Sequence, residues 1–270
     1  MLQSLRFPRS FRLMGVFLRA AVQAEMAYRV NFWIHLLYTV VNLAVAWVGL
    51  AVVFGQVPVL RGWDYPATLA LLGVYLTVSA LRQVCLGPSL DALAGMDGEL
   101  WTGRFDFTLL KPVDVQFMAS FRQWRPFALV DLALGLAVVV RAVTLSDADL
   151  TIGRVGLFVL ALGAGVALIY AVLMLFSALV FWHPGLLYTW VFDALFQLAR
   201  YPVGIYPPWL RVVLTWAVPV AFITTVPAEA LTGRAALGPV LAGVAVAVLA
   251  VAAASALFRL GVRRYASASS

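Results

Sequence analysis

The chain has 270 residues, of which 64% are hydrophobic and only 11% charged, with a mean hydropathy of +0.97 and a net charge of +7. Soluble domains carry about a quarter charged residues, so the composition excludes a soluble domain and reads as a polytopic helical membrane protein. Cys85 is the only cysteine, which excludes a disulfide framework and a cysteine-based metal centre. The positive charge does not imply nucleic acid, because basic residues in membrane proteins mark the cytoplasmic side.

Residues 1–30 carry Arg6, Arg9, Arg12, Arg19 and Arg29, with Leu13, Phe17, Ala21 and Ala24 at helical spacing. That pattern predicts a basic amphipathic helix in the cytoplasmic interface. Asn31–Gly55 is long enough to span a bilayer; His35 and Asn42 interrupt it, and a lone histidine there is more often satisfied by a neighbour than functional. Val57–Pro66 reads as an external turn-rich connection, and Ala67–Leu86 returns with Arg82 able to snorkel towards the cytoplasm.

Ser89–Phe117 is the longest run a bilayer would reject, holding Asp91, Asp97, Glu99, Arg104, Asp106, Lys111 and Asp114. Ser89 after Pro88 is an expected helix N-cap, with Asp91 in the first turn, and Gly95 with Asp97-Gly98 should stop that short helix. Phe105, Phe107 and Leu109 alternate with Asp106 and Thr108, which predicts an extended ribbon with one apolar edge. Asp114 is placed to cap the helix that follows. Such a stretch suits docking on another protein, or is a solvated loop between spans.

The third span is expected at about residues 127–143, containing Asp131, and Leu145–Gly153 as an external turn. Val155–Trp182 is the fourth span, where Gly156, Gly163 and Gly165 permit close backbone approach. Leu186–Leu231 is divided by five prolines. If both of its apolar stretches crossed, the C-terminus would be external, against Arg259, Arg263 and Arg264 after the last span, Leu237–Leu260. Leu186–Tyr206 is therefore taken as the fifth span and 207–231 as a broken external re-entrant pair; the swapped assignment also gives six spans. Asp193, Gln197 and Arg200 form one polar stripe along the fifth span. It lines a transport path, or it pairs with neighbours and anchors to head groups. Gly243/Ala247 and Ala250/Ala254 predict tight packing of the last span.

No phosphate-binding loop exists, since the only lysine, Lys111, lies between Leu110 and Pro112, and no Gly-x-Ser-x-Gly sequence occurs. The order of parts resembles an ABC type-2 exporter permease. GELWTGRFDFTLLKPVDVQF (Gly98–Phe117) and ARYPVGIYPPWLRVVLTWAVPVAFITTVPAEAL (Ala199–Leu231) are similar to a bacterial branch whose members mostly lack an assigned substrate. The branch's Gly-Glu-x-Asp element is met only in part, because Trp101, Thr102 and Gly103 precede Arg104 and Asp106.

The resemblance implies an all-α fold with six transmembrane helices, an N-terminal interfacial helix, a cytoplasmic coupling helix in 89–117 and external re-entrant helices between spans 5 and 6. It implies a multi-pass protein of the cell inner membrane with both termini cytoplasmic. Expected partners are a cytoplasmic ABC ATPase dimer, a second permease that is a copy or a homologue, and membrane lipid. ATP and Mg would sit on the ATPase, with no cofactor on this chain. Asp91, Glu99, Arg104 and Phe105 would form the ATPase contact, and Asp193, Gln197 and Arg200 are candidates for the path. The cargo would be hydrophobic or amphipathic. The competing readings are a membrane assembly factor or scaffold, a membrane enzyme, and an ion-coupled transporter using Asp131 and Asp193. The missing catalytic pairing and missing inverted repeat weigh against the last two.

Overall fold

The computed structural model describes residues 6–95, 98–146, 151–183 and 188–265. Asp97, the 147–150 tip of the expected external turn, and Leu186 and Leu187 at the start of the expected fifth span lie outside them. Helix α1 (Arg6–Ala27) is amphipathic as expected: Leu13, Phe17 and Ala21 are partly buried, although Ala24 is exposed and Glu25 continues the stripe instead. The Glu25 carboxylate accepts the Phe127 N–H at 2.7 Å. Burial raises its pKa above the ordinary value, and that hydrogen bond opposes the rise.

Helix α2 (Arg29–Gln56) follows, with Leu50 its one buried residue. Helix α3 runs from Tyr65 to Ala94. Asp64 caps it by accepting the Ala67 N–H at 3.0 Å, and Pro66 fits its first turn. No new helix begins at Ser89. The chain passes Pro88 inside α3, through a π-helical turn at Arg82–Leu86. Pro88 has no N–H to give Val84, whose carbonyl accepts the Arg125 N–H at 3.0 Å. The Ser89 hydroxyl, expected as a cap, instead accepts the Gln123 N–H at 2.7 Å and donates to the Gln123 carbonyl at 3.1 Å. The proline that interrupts α3 thus fastens the 122–125 connector to it.

Helix α4 (Phe105–Leu109) is a single turn and α5 (Val115–Phe121) is two, the latter capped by Asp114 through the Phe117 N–H at 2.8 Å. The extended ribbon expected at 105–109 is therefore helical. Alternation over five residues does not separate one helical turn from a strand, and here no partner strand is at hand. Helices α6 (Pro126–Leu145), α7 (Ile152–Leu179) and, at the C-terminal end, α11 (Leu237–Arg264) are long and apolar enough to cross a bilayer, as are α2 and α3. With these five and no strand among the described residues, the chain is an all-α polytopic membrane protein.

Helix α3 lies at the centre, with Leu69, Leu71, Val74 and Val78 fully enclosed. It meets α6 backbone to backbone. A Cβ on Gly73 would lie 2.8 Å from the Val139 nitrogen, and one on Gly135 would lie 2.7 Å from the Thr77 nitrogen. Helix α7 packs along α11, where Gly243, Ala247 and Ala254 are buried. Of the three glycines expected to bring α7 close to a neighbour, only Gly165 does so, against the Ile223 backbone; Gly156 and Gly163 face open space.

Helix α8 (Tyr188–Gln197) continues as a 3-10 turn, Leu198–Arg200, and stops before Pro202 with Tyr201 extended. The expected fifth span is therefore not one uninterrupted helix. Its path still follows α3 closely: Asp193 meets Arg82, Phe196 meets Tyr75, and the Gly204 carbonyl accepts from Arg61 in the α2–α3 connection. Helices α9 (Pro208–Trp216) and α10 (Ala221–Leu231) join at 74° around Pro219. Arg211 donates to the Gly204 carbonyl at 2.8 Å, and Arg234 donates to the Gly62 carbonyl at 2.7 Å and pairs with Asp64. Both ends of the bent pair therefore lie at the α2–α3 connection.

Candidate functional site: a braced loop and a polar cavity

The 89–117 loop is held from within. After α3 stops at Gly95, the N–H groups of Glu99 and Leu100 bond back to the Ala92 and Leu93 carbonyls. Gly103 takes a φ of 71°, a left-handed turn that favours glycine. The Glu99 carboxylate pairs with Arg122 and accepts from the Thr108 hydroxyl at 3.0 Å, while Arg122 also donates to Thr108. Phe105 is fully buried, edge-on to Phe181 and Tyr265. Burial and then the Asp106 carboxylate push the Tyr265 phenol above its ordinary pKa.

Glu99 and Phe105, two of the four residues assigned to a partner contact, thus serve inside this chain. Asp91 is half-buried on the last turns of α3, with one carboxylate oxygen enclosed. Only Arg104 is exposed, its Nε donating to Thr102. Beside it the loop presents Trp101, Phe107, Leu109 and Leu110, the last 80% exposed. These apolar residues are the loop's outward face. The burial of Phe105 against the exposure of Phe107 is what the helical turn, rather than a ribbon, produces.

Helix α5 connects the loop to the spans. Gln116 donates to the Ser255 hydroxyl at 2.8 Å and to the Tyr170 hydroxyl at 3.2 Å, and Ser120 shares a hydrogen bond with Tyr170. One helix thereby grips α7 and α11 together. Sequence reasoning missed this network. Its signal was the pair of hydroxyls, Tyr170 and Ser255, in otherwise apolar spans, since polar groups there need partners.

The stripe on α8 separates. Asp193 pairs with Arg82 at 2.6 Å, and Arg82 also lies over the Phe192 ring; the arginine expected to snorkel is thus held inside the bundle. Gln197 is exposed. Arg200 lies over the Tyr75 ring at 5.3 Å and borders a cavity of about 160 Å³ between α2, α3 and α6. On the far wall Asp131 accepts from Thr39 at 2.6 Å and shares a hydrogen bond with His35 at 3.0 Å. The lone histidine is satisfied by a neighbouring span, as its position predicted. No group of histidine, cysteine and carboxylate side chains among the described residues could hold a metal ion.

The structure thus combines a braced loop with an apolar outer face, linked by α5 to two spans, and a polar cavity in an apolar bundle. No curated protein matches the chain. The family model described as ABC-2 family transporter protein matches residues 40–269, from within α2 past the end of α11. The chain belongs to the ABC-2 transporter family, as a permease-type membrane component.

Proposed function

We propose that this chain is the permease subunit of an ATP-binding cassette exporter that moves a hydrophobic or amphipathic compound outward across the plasma membrane. Permeases of the family work with an ATPase partner. In this reading the partner is a cytoplasmic dimer that holds ATP and Mg, and two permeases, identical or homologous, enclose the path. The termini and the 89–117 loop are cytoplasmic, consistent with Arg259, Arg263 and Arg264 at one end of α11. The 207–231 segment is an external re-entrant pair. Its support is that Arg234 after one end donates to Gly62 in the α2–α3 connection, while Arg211 near the other donates to the Gly204 carbonyl that Arg61 of the same connection also reaches.

The observation that carries the reading is the loop's exposed Trp101, Phe107 and Leu110 on a frame braced by Glu99, Arg122 and Phe105. An exposed apolar cluster on a rigid support suits a protein interface. Force applied there reaches α7 and α11 through Gln116, so ATPase closure can bias the spans between two arrangements. Arg104 is exposed beside that face, whereas Glu99 and Phe105 act by holding its shape.

The test is co-purification from the native membrane. The wild-type chain should bring an ATP-binding cassette subunit with it, and Phe107→Glu/Leu110→Arg should lose that subunit while remaining inserted. Retention of the ATPase by the double variant, or capture of a partner with no ATPase activity, overturns the reading. Recovery of a biosynthetic or assembly protein would favour the scaffold alternative.

A further inference from the structure

We infer that the cavity between α2, α3 and α6 is a binding site for the anionic headgroup of an amphiphile, with Arg200 as its counter-charge. The Arg200 Nε is enclosed and has no hydrogen-bond partner among the described residues, and the contact its guanidinium makes is the Tyr75 ring. A cation enclosed among apolar helices is costly unless it is paired. The carboxylates within reach of this region are already engaged. Asp131 has one oxygen on Thr39 and the other on His35, and Asp193 is held by Arg82.

A second polar group on the same cavity wall, the Ser79 hydroxyl, is also enclosed without a partner, and Gln83 lines the cavity one turn further along α3. A guanidinium carries only donors, and a hydroxyl and an amide can each donate. The ligand group that satisfies the guanidinium is therefore an acceptor-rich anion such as a phosphate or carboxylate.

The cavity's other wall is α2, on which Tyr38 and Asn42 are exposed beside Leu37, Val41 and Val45. A charged head lodged on Arg200 would thus leave its attached chain along an apolar surface. The inference rests on the export reading only for the further step that the bound amphiphile is the cargo.

The experiment uses the full chain with its co-purified partners in phosphatidylcholine nanodiscs, titrated calorimetrically with dioctanoyl phosphatidic acid. Saturable binding is expected, weakened about tenfold or more by Arg200→Gln and largely restored by Arg200→Lys, since a charge-assisted contact is at stake. Dioctanoyl phosphatidylcholine and inorganic phosphate should each bind about tenfold more weakly, the first for lack of net charge and the second for lack of a tail. Equal binding of phosphatidylcholine, equal binding of inorganic phosphate, or unchanged affinity in Arg200→Gln overturns the inference. Should Arg200→Gln fail to fold, Ser79→Val provides the same test with an expected loss of severalfold, and unchanged affinity there overturns the inference equally. Stimulation of ATP hydrolysis by the probe would identify it with the cargo class. Binding with no ATPase in the preparation would uphold the cavity and count against the export reading, so the two fail separately.

Discussion

Helices α2 and α3 are consecutive, and both are apolar enough to cross a bilayer, but 6% of the most apolar stretch of α2 is buried within the chain against 67% for α3. The more exposed helix is also the more apolar one. Lipid tails are as apolar as a leucine-rich core, so hydropathy registers the bilayer and says little about position within a bundle. Position is decided by close approach and by polar links. Helix α3 has Gly73 facing the Val139 backbone and its Thr77 backbone facing Gly135. Helix α2 has no glycine with a neighbour within 4 Å, and it is tied to α6 through His35 and Thr39 on Asp131. Its outer face leaves Trp33, Leu37, Val41, Val45 and Val52 exposed.

The largest effect expected from this contrast is at the α3–α6 contact. Gly135→Val places side-chain atoms against backbone that no rotamer change can move, and should destabilise the protein by about 3 kcal/mol or more, read as lost thermal stability in detergent. A near-native melting temperature would show that glycine approach does not set the position of α3.

A smaller and more local loss is expected at Asp131. Asp131→Ala strands His35 and Thr39 and removes hydrogen bonds to a charged group, worth about 2 kcal/mol. Hydrogen exchange should rise in α2 while α3 stays protected. Equal acceleration in both helices would mean that α2 is not fastened independently.

The smallest effect belongs to Gly49, around which a Cβ meets nothing within 4 Å. Gly49→Ala should leave the protein unchanged or stabilise it by up to about 1 kcal/mol, through helix propensity alone. Measured beside Gly135→Ala, it isolates the packing contribution. A comparable loss at both positions would end the distinction between the two helices.

The sequence by itself determined that this is an all-α membrane protein and where five long apolar helices run, because bilayer thickness demands about 20 apolar residues per crossing. It also marked Asp114 as a helix cap. Those are local demands, met by neighbours within four residues. The tertiary structure decided everything that needed a partner from elsewhere in the chain. Pro88 was legible as a helix start, but its effect was a free Val84 carbonyl that Arg125 could reach. Phe105 and Phe107 looked equivalent until a one-turn helix put the first against Phe181 and Tyr265 and the second outside. The stripe of Asp193, Gln197 and Arg200, spaced four and three apart, became an ion pair, an exposed amide and a cavity wall, because α3 meets only part of that face. Side-chain spacing sets which residues share a helix face, whereas what lies opposite that face is set by helices more than a hundred residues away in sequence.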